Sequence, residues 1–289
     1  MVILNNIPMD KGSLLKLTRN LIREAGIKPS KRLGQHFTID PKLIEELGRL
    51  AGSLGCLSEE PVIEVGTGFG IVTRYLATLC SRIITIEIDE RIYNIAKKTL
   101  EGLNNVEMIL GDALEILERI NFTGVVGTIP YSITGPLLGT IARSNAKWAV
   151  LVLQKDVVDR IKSPPGTKSY GSIGVMLNIA FNIDSGNIYS PQSFYPEPAV
   201  FSQTLILRRK EPKVEVEKGL EEFIKCIFSQ RKRLVHKAIE NCTGVEIQRT
   251  DTRVFQMTPE EIYRIYNKIK KEKQKQNPNT ELDVYTQKT

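Results

Sequence analysis

Residues Glu64 to Gly70 read Glu-Val-Gly-Thr-Gly-Phe-Gly, and this stretch decides the fold. It continues an apolar run that begins at Pro61, and a helical pattern begins at Ile71. Glycines between a strand and a helix let the backbone turn tightly and approach a nucleotide-like ligand, because no Cβ is in the way. A Gly-x-Gly-x-Gly run alone is weak evidence, since dinucleotide enzymes share it and chance matches are common.

Short apolar, β-branched runs recur along this part of the chain and alternate with helical stretches. Runs without internal polar alternation are typical of strands covered on both faces, so they predict a parallel α/β sheet. The predicted strands are Pro61 to Val65, Ile83 to Ile88, Val106 to Leu110, Gly124 to Thr128 and Trp148 to Gln154. Two further strand-like runs, Ile173 to Ile183 and Thr204 to Leu207, are expected to add an antiparallel hairpin at a sheet edge.

Acidic residues stand at the ends of the second and third predicted strands. Glu87 follows the glycines by about twenty residues, where a carboxylate meets ribose hydroxyls in nucleotide-binding α/β folds. Asp112 stands where a carboxylate can accept a hydrogen bond from an adenine amino group. Each acid alone could equally be a helix cap. Together, beside a glycine loop, they indicate a ligand site at the carboxyl ends of the strands.

A chain of 289 residues favours one large and one small domain. The expected organisation is an N-terminal extension over 1–30, an α/β domain over 31–209, a small helical domain over 210–273 and a polar tail over 274–289. Amphipathic spacing predicts a helix over residues 13–25, and Asp40 followed by Pro41 predicts the start of another. In the small domain, helices are expected from Leu220 to Glu240 and from Pro259 to Lys271, after a linker at 211–213.

The charge balance favours a polyanionic partner, because 40 Lys and Arg outnumber 33 Asp and Glu. The four cysteines lack the close spacing of a zinc site, so we expect reduced, mostly buried thiols and no metal. No signal-peptide run and no stretch of about twenty apolar residues is present. The sequence therefore predicts a cytoplasmic protein without a membrane segment.

The fourth predicted strand leads into Gly127 to Tyr131, which reads Gly-Thr-Ile-Pro-Tyr. Residues Thr128 to Tyr131 resemble the loop of amino-methyltransferases, which is Asn or Asp, any residue, Pro and an aromatic. In such enzymes the aromatic ring stacks on a flipped base, while the polar side chain and a backbone carbonyl accept hydrogen bonds from the exocyclic amine. These acceptors localise the nitrogen lone pair toward the sulfonium methyl, so no strong general base is required.

Nearly the whole chain resembles the small-subunit ribosomal RNA adenine N6,N6-dimethyltransferases, a family with a Rossmann-like methyltransferase sheet. The matching segments are Leu33 to Phe37 (the cofactor-lid motif), Gln154 to Val157, Pro165 to Gly171, Ser193 to Pro198 and the basic stretch Phe228 to Leu234. The resemblance implies a methyltransferase domain over 31–209 and an RNA-binding helical domain over 210–273. It also implies S-adenosyl-L-methionine as cofactor, and a monomer that methylates N6 of adenines in the 3′-terminal hairpin of small-subunit RNA on pre-ribosomal particles.

The resemblance also assigns residues to roles. The catalytic residues would be Thr128, Ile129, Pro130, Tyr131 and Phe194, with Phe194 sandwiching the adenine against Tyr131. The cofactor-binding residues would be Gln35, His36, Thr38, Gly66, Gly68, Glu87, Asp112 and Thr128. The RNA-binding residues would be Arg231, Lys232, Arg233 and Lys237, on a helix that carries five Lys or Arg and no acid between Phe223 and Ile239. Neither His36 nor His236 is expected to be a general base or a metal ligand.

Thr128 departs from the family pattern, which usually has Asn at the start of this loop. A hydroxyl reaches less far than an amide, and losing roughly 1–3 kcal/mol of hydrogen bonding in the transition state would slow the reaction about tenfold to a hundredfold. We therefore expect an active enzyme that is slower at the second methylation.

Three other functions fit part of the sequence. A ribosome-assembly factor with weak or lost catalysis is suggested by Thr128 and by the basic stretch. A large-subunit RNA methyltransferase of the erythromycin-resistance type shares the fold and the loop, but it fits the segment Pro165 to Gly171 less well. A nicotinamide dehydrogenase explains neither Pro130-Tyr131 nor Phe194.

Overall fold

The computed structural model describes residues 10–29 and 34–276. Its helices are α1 (Lys11–Glu24), α2 (Pro41–Leu54), α3 (Ile71–Leu76), α4 (Glu90–Thr99), α5 (Ala113–Leu117), α6 (Thr134–Arg143), α7 (Lys155–Ile161), α8 (Ser172–Ala180), α9 (Lys218–Ser229), α10 (Val235–Thr243) and α11 (Pro259–Gln276). Its strands are β1 (Phe37–Thr38), β2 (Val62–Val65), β3 (Ile83–Glu87), β4 (Val106–Leu110), β5 (Gly124–Thr128), β6 (Trp148–Gln154), β7 (Phe181–Tyr189), β8 (Phe194–Tyr195) and β9 (Ser202–Arg209).

Seven strands form one sheet in the order β4-β3-β2-β5-β6-β9-β7. The first five are parallel, and β9 runs antiparallel to β6. Since Val62 pairs with both Ile83 and Gly124, the central strands are aligned and their carboxyl ends lie at one edge. The predicted parallel α/β sheet and its five strands are confirmed.

The edge of the sheet differs from the sequence prediction. Most of the run Ile173 to Ile183 forms α8 rather than a strand, and β7 begins only at Phe181. Six of the nine residues of α8 are buried, so the helix is apolar on most of its surface. Periodicity does not separate such a helix from a buried strand.

Helix α2 begins where the sequence predicts, at Pro41, and α1 begins two residues before the predicted range 13–25. Asp10 caps α1 by accepting a hydrogen bond from the Ser13 backbone N–H, and Asp40 caps α2 in the same way from Lys42. The apolar face of α1 is buried, with Leu14 in the same core cluster as residues of α2 and of the sheet. The N-terminal helix is therefore packed into the α/β unit. No helix in the described part of the chain is long and apolar enough to cross a membrane.

The described residues group into two compact units whose boundary differs from the expected one. The first holds the residues up to Val158 together with Asp184–Arg209, and the second holds Asp159–Ile183 together with Lys210 onward. Hydrogen bonds explain why residues 159–183 group with the C-terminal helices. The Gly166 N–H donates to the Phe255 carbonyl, and the Tyr170 hydroxyl donates to the Met257 carbonyl.

The prediction of reduced cysteines is wrong, whereas their expected burial is confirmed for Cys56, Cys80 and Cys242. Cys56 is bonded to Cys80, and Cys226 to Cys242, as two disulfides with Cα–Cα distances of 4.9 and 6.0 Å. The partners are 24 and 16 residues apart, so only the fold brings them together. Each unit holds one disulfide, and the second joins α9 to α10.

The single helix predicted from Leu220 to Glu240 is also wrong, because a turn at 230–234 separates α9 from α10. The carbonyls of Arg231 and Arg233 accept hydrogen bonds from the backbone N–H groups of Phe255 and Val254. These bonds to a distant segment replace the helical ones. The basic residues 231–233 therefore lie on a turn, called here the basic turn (residues 230–234).

Candidate active site

One cavity lies at the carboxyl edge of the sheet, where β2, β3, β4 and β5 end. The structure brings all eight predicted cofactor-binding residues to its wall: Gln35, His36, Thr38, Gly66, Gly68, Glu87, Asp112 and Thr128. Leu33, the first residue of the predicted lid motif, lies outside the described residues. Residues from four strand ends and from residues 34–38, called here the entry segment, therefore enclose one space.

The glycine loop and Glu87 form one hydrogen-bonded unit. Gly66 and Gly68 adopt positive φ angles of 82° and 55°, which glycine adopts without strain. The Glu87 carboxylate accepts hydrogen bonds from the backbone N–H groups of Gly68 (2.9 Å), Ile88 (3.0 Å) and Asp89 (3.0 Å). Burial raises the pKa of Glu87, while these three bonds favour its ionised form. The carboxylate is thus held in place before any ligand arrives.

Asp112 serves as a helix cap and also lines the cavity. Its Oδ1 accepts a hydrogen bond of 2.8 Å from the backbone N–H of Leu114, at the start of α5. The same side chain belongs to the cavity wall. Asp112 can therefore cap α5 and face a ligand in the cavity at the same time.

Glu64 is a cavity residue to which the sequence analysis gave no role. It is 1% exposed and accepts hydrogen bonds from the hydroxyls of Thr73 (2.5 Å) and Thr85 (2.6 Å). Burial raises its pKa to about 7. The signal was an acid inside the otherwise apolar strand Val62–Val65, because a buried carboxylate is costly unless something compensates it.

The charges around the cavity fit a cationic ligand. Glu64, Glu87 and Asp112 line it, and no Lys or Arg does so among the residues that the structure describes. A pyrophosphate group would meet carboxylates here without a compensating cation, whereas a ligand with a sulfonium and an ammonium group is attracted. The residues present therefore fit S-adenosylmethionine better than a nicotinamide dinucleotide.

Two hydrogen bonds anchor the entry segment. The amide of Gln35 donates to the Asp89 carboxylate (3.1 Å), and the imidazole Nδ1 of His36 donates to the Pro196 carbonyl (2.7 Å). Gly34 has a φ of 61°, and a Cβ there would lie 2.9 Å from the Pro130 Cβ. Only a glycine lets this segment lie directly against the predicted catalytic loop.

The predicted catalytic loop begins at the end of β5. At Gly127, φ is 156° and a Cβ would lie 2.5 Å from the Val65 carbonyl oxygen, so this strand end requires glycine. Thr128 and Pro130 line the cavity, whereas Ile129 is buried and bonded through its N–H to the Val152 carbonyl (3.1 Å). The loop thus has a fixed backbone at the cavity rim.

Tyr131 is half-buried beside this rim. Its ring centroid lies 5.9 Å from that of His36, and the Ser202 side chain lies beside its hydroxyl. Burial raises its pKa, so the phenol is neutral near pH 7. Ser202 was missed by the sequence analysis, since its contact with Tyr131 spans 71 positions in the chain.

Phe194 is not brought to the cavity. It is 4% exposed and belongs to the core cluster, and its strand β8 pairs with β1, where Thr38 faces Phe194 and Phe37 faces Tyr195. The guanidinium of Arg19 lies 5.0 Å above the Tyr195 ring. The predicted aromatic sandwich is therefore not formed in this structure.

The predicted RNA-binding residues have different surroundings. The Arg231 guanidinium donates to the carbonyls of Lys168 (2.6 Å) and Thr167 (2.9 Å), so it fastens a neighbouring loop. Lys232 and Lys237 are exposed, and exposed Arg233 donates to the side chain of Gln230. The sequence did not indicate that Arg231 is hydrogen-bonded to backbone carbonyls of a neighbouring loop.

Comparisons with known proteins agree with this geometry. Residues 26–271 match the model of a family described as ribosomal RNA adenine dimethylase. A protein named ribosomal RNA small subunit methyltransferase A from Thermotoga petrophila is 32% identical over 255 residues, covering 87% of this chain and 95% of that one. A protein of the same name from Syntrophus aciditrophicus is 33% identical over 239 residues, covering 78% and 84%.

A solved structure shares the fold. It is a dimethyladenosine transferase from Plasmodium falciparum, with a TM-score of 0.71 and 21% identity, covering 82% of this chain and 98% of that one. The family match spans both described units and includes every segment that forms the cavity. The chain therefore belongs to the ribosomal RNA adenine dimethylase family, whose members transfer methyl groups from S-adenosylmethionine to adenines of ribosomal RNA.

Proposed function

We propose that this protein dimethylates N6 of adenines in the 3′-terminal hairpin of small-subunit ribosomal RNA, with Thr128–Tyr131 as its catalytic loop. It acts as a monomer on pre-ribosomal small subunits in the cytoplasm. The observation that carries the proposal is the convergence of Glu87, Asp112, Thr128 and Pro130 on one cavity whose described wall holds no Lys or Arg. The names of the small-subunit methyltransferases at 32% and 33% identity support the choice of substrate.

The cofactor-holding roles follow from the position of each group. Glu87 is oriented by three backbone N–H groups and accepts hydrogen bonds from the ribose hydroxyls. Asp112 accepts from the adenine amino group, and Glu64 offsets the positive charge of the amino-acid end. S-adenosylmethionine supplies an electrophilic methyl group on a sulfonium.

The target adenine is positioned by the loop. Tyr131 stacks on the flipped base, while the Thr128 hydroxyl and a loop carbonyl accept hydrogen bonds from its N6 amine. The N6 lone pair forms the new N–C bond as the C–S bond breaks, and the proton leaves the product nitrogen to solvent. No described side chain needs to be a strong base, because the amine becomes acidic only once it is methylated and cationic.

Phe194 and the exposed basic side chains complete the proposal. Phe194 stacks on the opposite face of the adenine, which requires its ring to leave the core. Lys232, Arg233 and Lys237 neutralise RNA phosphates. For Arg231, binding an RNA phosphate competes with the hydrogen bonds that its guanidinium donates to two backbone carbonyls.

The test is methylation of purified, unmethylated ribosomal subunits, read by mass spectrometry of nucleosides. We expect N6,N6-dimethyladenosine in small-subunit RNA and none in large-subunit RNA. Methylation of large-subunit RNA alone would assign the erythromycin-resistance type instead. The absence of both mono- and dimethyladenosine, in a sample in which cofactor binding is measured, would refute the proposal.

Thr128 supports a second candidate, a ribosome-assembly factor with weak catalysis. Under this proposal, Tyr131→Ala and Glu87→Ala leave particle binding and subunit maturation in cells intact. Maturation that declines together with methylation refutes it. Thr128→Asn separates the two candidates further, because restoring an amide acceptor raises the yield of dimethyladenosine if catalysis is the function.

A further inference from the structure

Phe201 is an exposed aromatic side chain beside the catalytic loop. It is 52% exposed, and every other Phe, Tyr or Trp in residues 10–29 and 34–276 is at least partly buried. Val200, its neighbour in the chain, is 37% exposed, so an apolar patch protrudes here. Single exposed apolar residues are common on protein surfaces, and the position of this one gives it significance.

The position of Phe201 is set by backbone hydrogen bonds. The Lys155 N–H donates to the Phe201 carbonyl (2.9 Å), and the next residue, Ser202, pairs with Gln154 at the carboxyl end of β6. In the neighbouring strand β5, Thr128 pairs with Val152. Phe201 therefore lies at the same edge of the sheet as the catalytic loop.

A neighbouring residue joins the two features. Ser202 is 3% exposed, and its side chain lies beside the hydroxyl of Tyr131. Consecutive Cα atoms are about 3.8 Å apart, so the Phe201 backbone is one residue from a contact of the base-stacking tyrosine. The Phe201 backbone is thus fixed at a strand end close to the catalytic loop, and its ring is exposed there.

We propose that Phe201 stacks on an unpaired base adjacent to the target adenine in the RNA. This inference rests on the proposed function. Turning one adenine out of its stack leaves its neighbours with exposed faces, and a protein aromatic on a fixed backbone replaces the lost stacking at little entropic cost. Phe201 is then a substrate-positioning residue that acts on RNA binding rather than on methyl transfer.

The experiment compares Phe201→Ala, Phe201→Leu and Phe201→Trp with the wild-type protein. Leu57→Ala is the matched control, because Leu57 is 71% exposed and precedes β2 at the opposite edge of the sheet. We measure kcat and KM with unmethylated small subunits, and Kd for a protein-free RNA of the 3′-terminal domain. S-adenosylmethionine binding and Tm establish that each variant is folded.

Phe201→Ala and Phe201→Leu should raise KM and Kd roughly tenfold with kcat nearly unchanged, whereas Phe201→Trp and Leu57→Ala stay within about twofold of wild type. If Phe201→Leu keeps the wild-type KM and Kd, stacking is refuted. An effect seen with subunits but absent with protein-free RNA would assign Phe201 to a protein contact and overturn the inference. If wild type is active and Phe201→Ala has the wild-type KM and Kd, this inference alone is refuted. If wild type binds the cofactor but is inactive, the proposed function is refuted and this inference with it.

Discussion

The cofactor cavity and the basic turn were both predicted from short sequence segments, yet the structure treats them differently. In the cavity, all eight predicted residues line one space at the ends of parallel strands. In the basic turn, Arg231 is bonded to backbone carbonyls, and the predicted helix is interrupted. The difference is that sheet topology places strand ends together, whereas no such rule places a run of surface charges.

The largest effect is expected in the cavity, from Glu87→Ala. Losing charge-assisted hydrogen bonds of about 1.5–3 kcal/mol each to two ribose hydroxyls should weaken S-adenosylmethionine binding about a thousandfold. Calorimetric titration measures this affinity. Glu107→Ala is the control, since its carboxylate is 54% exposed on β4 outside the cavity. If both variants bind S-adenosylmethionine with equal affinity, Glu87 does not contribute to cofactor binding and the comparison fails.

Glu64 gives the cavity a pH signature. Its folded pKa of about 7 lies above the ordinary 4.5, so its contribution to stability is complete below pH 4.5 and is lost as pH rises through 7. The shift corresponds to about 3 kcal/mol. In urea unfolding without cofactor, the free energy of unfolding of Glu64→Gln should therefore rise by about 3 kcal/mol relative to wild type between pH 4.5 and pH 8. Parallel stability curves for the two proteins would contradict a buried, ionisable Glu64.

The disulfide Cys226–Cys242 encloses the basic turn and leaves the cavity untouched. Replacing both cysteines by serine should lower the free energy of unfolding of the second unit by about 3 kcal/mol, the chain-entropy value for a 16-residue loop. Hydrogen exchange resolves this loss by unit, and S-adenosylmethionine affinity should not change. A loss of cofactor affinity would show that the two regions are coupled.

The smallest effects separate two neighbours in the basic turn. Arg231→Ala should cost about 1–2 kcal/mol of stability, because two carbonyls lose a charged donor. Lys232→Ala, at an exposed position, should leave Tm unchanged and reduce the salt dependence of RNA binding by about one phosphate contact. Thermal melting and filter binding at several salt concentrations measure both. The reverse pattern would restore Arg231 as an RNA contact.

The predictable part of the molecule is the part governed by periodicity and topology. The five parallel strands, the cap Asp40 and the fold class are confirmed, as are the family and its methyl donor. Glu64 was not predicted as a site residue, although an acid in an otherwise apolar strand indicates a buried carboxylate with hydrogen-bond partners.

The rest depends on contacts between distant segments. The sequence carries no local signal that Cys56 meets Cys80, that Ser202 lies beside Tyr131, or that Tyr170 bonds Met257. Apolar composition alone also leaves α8 indistinguishable from a buried strand. The roles assigned to the individual cavity residues stay predictions until variants are measured.

The most direct test of the central claim, that Thr128–Tyr131 at the cavity rim performs adenine methylation, is single-turnover methylation of small subunits by Tyr131→Ala and Tyr131→Phe. The account predicts that Tyr131→Phe keeps most of the wild-type rate, because the ring still stacks on the base. It predicts that Tyr131→Ala is slower by roughly tenfold to a hundredfold with unchanged cofactor affinity. Tyr131→Ala as fast as wild type would contradict it.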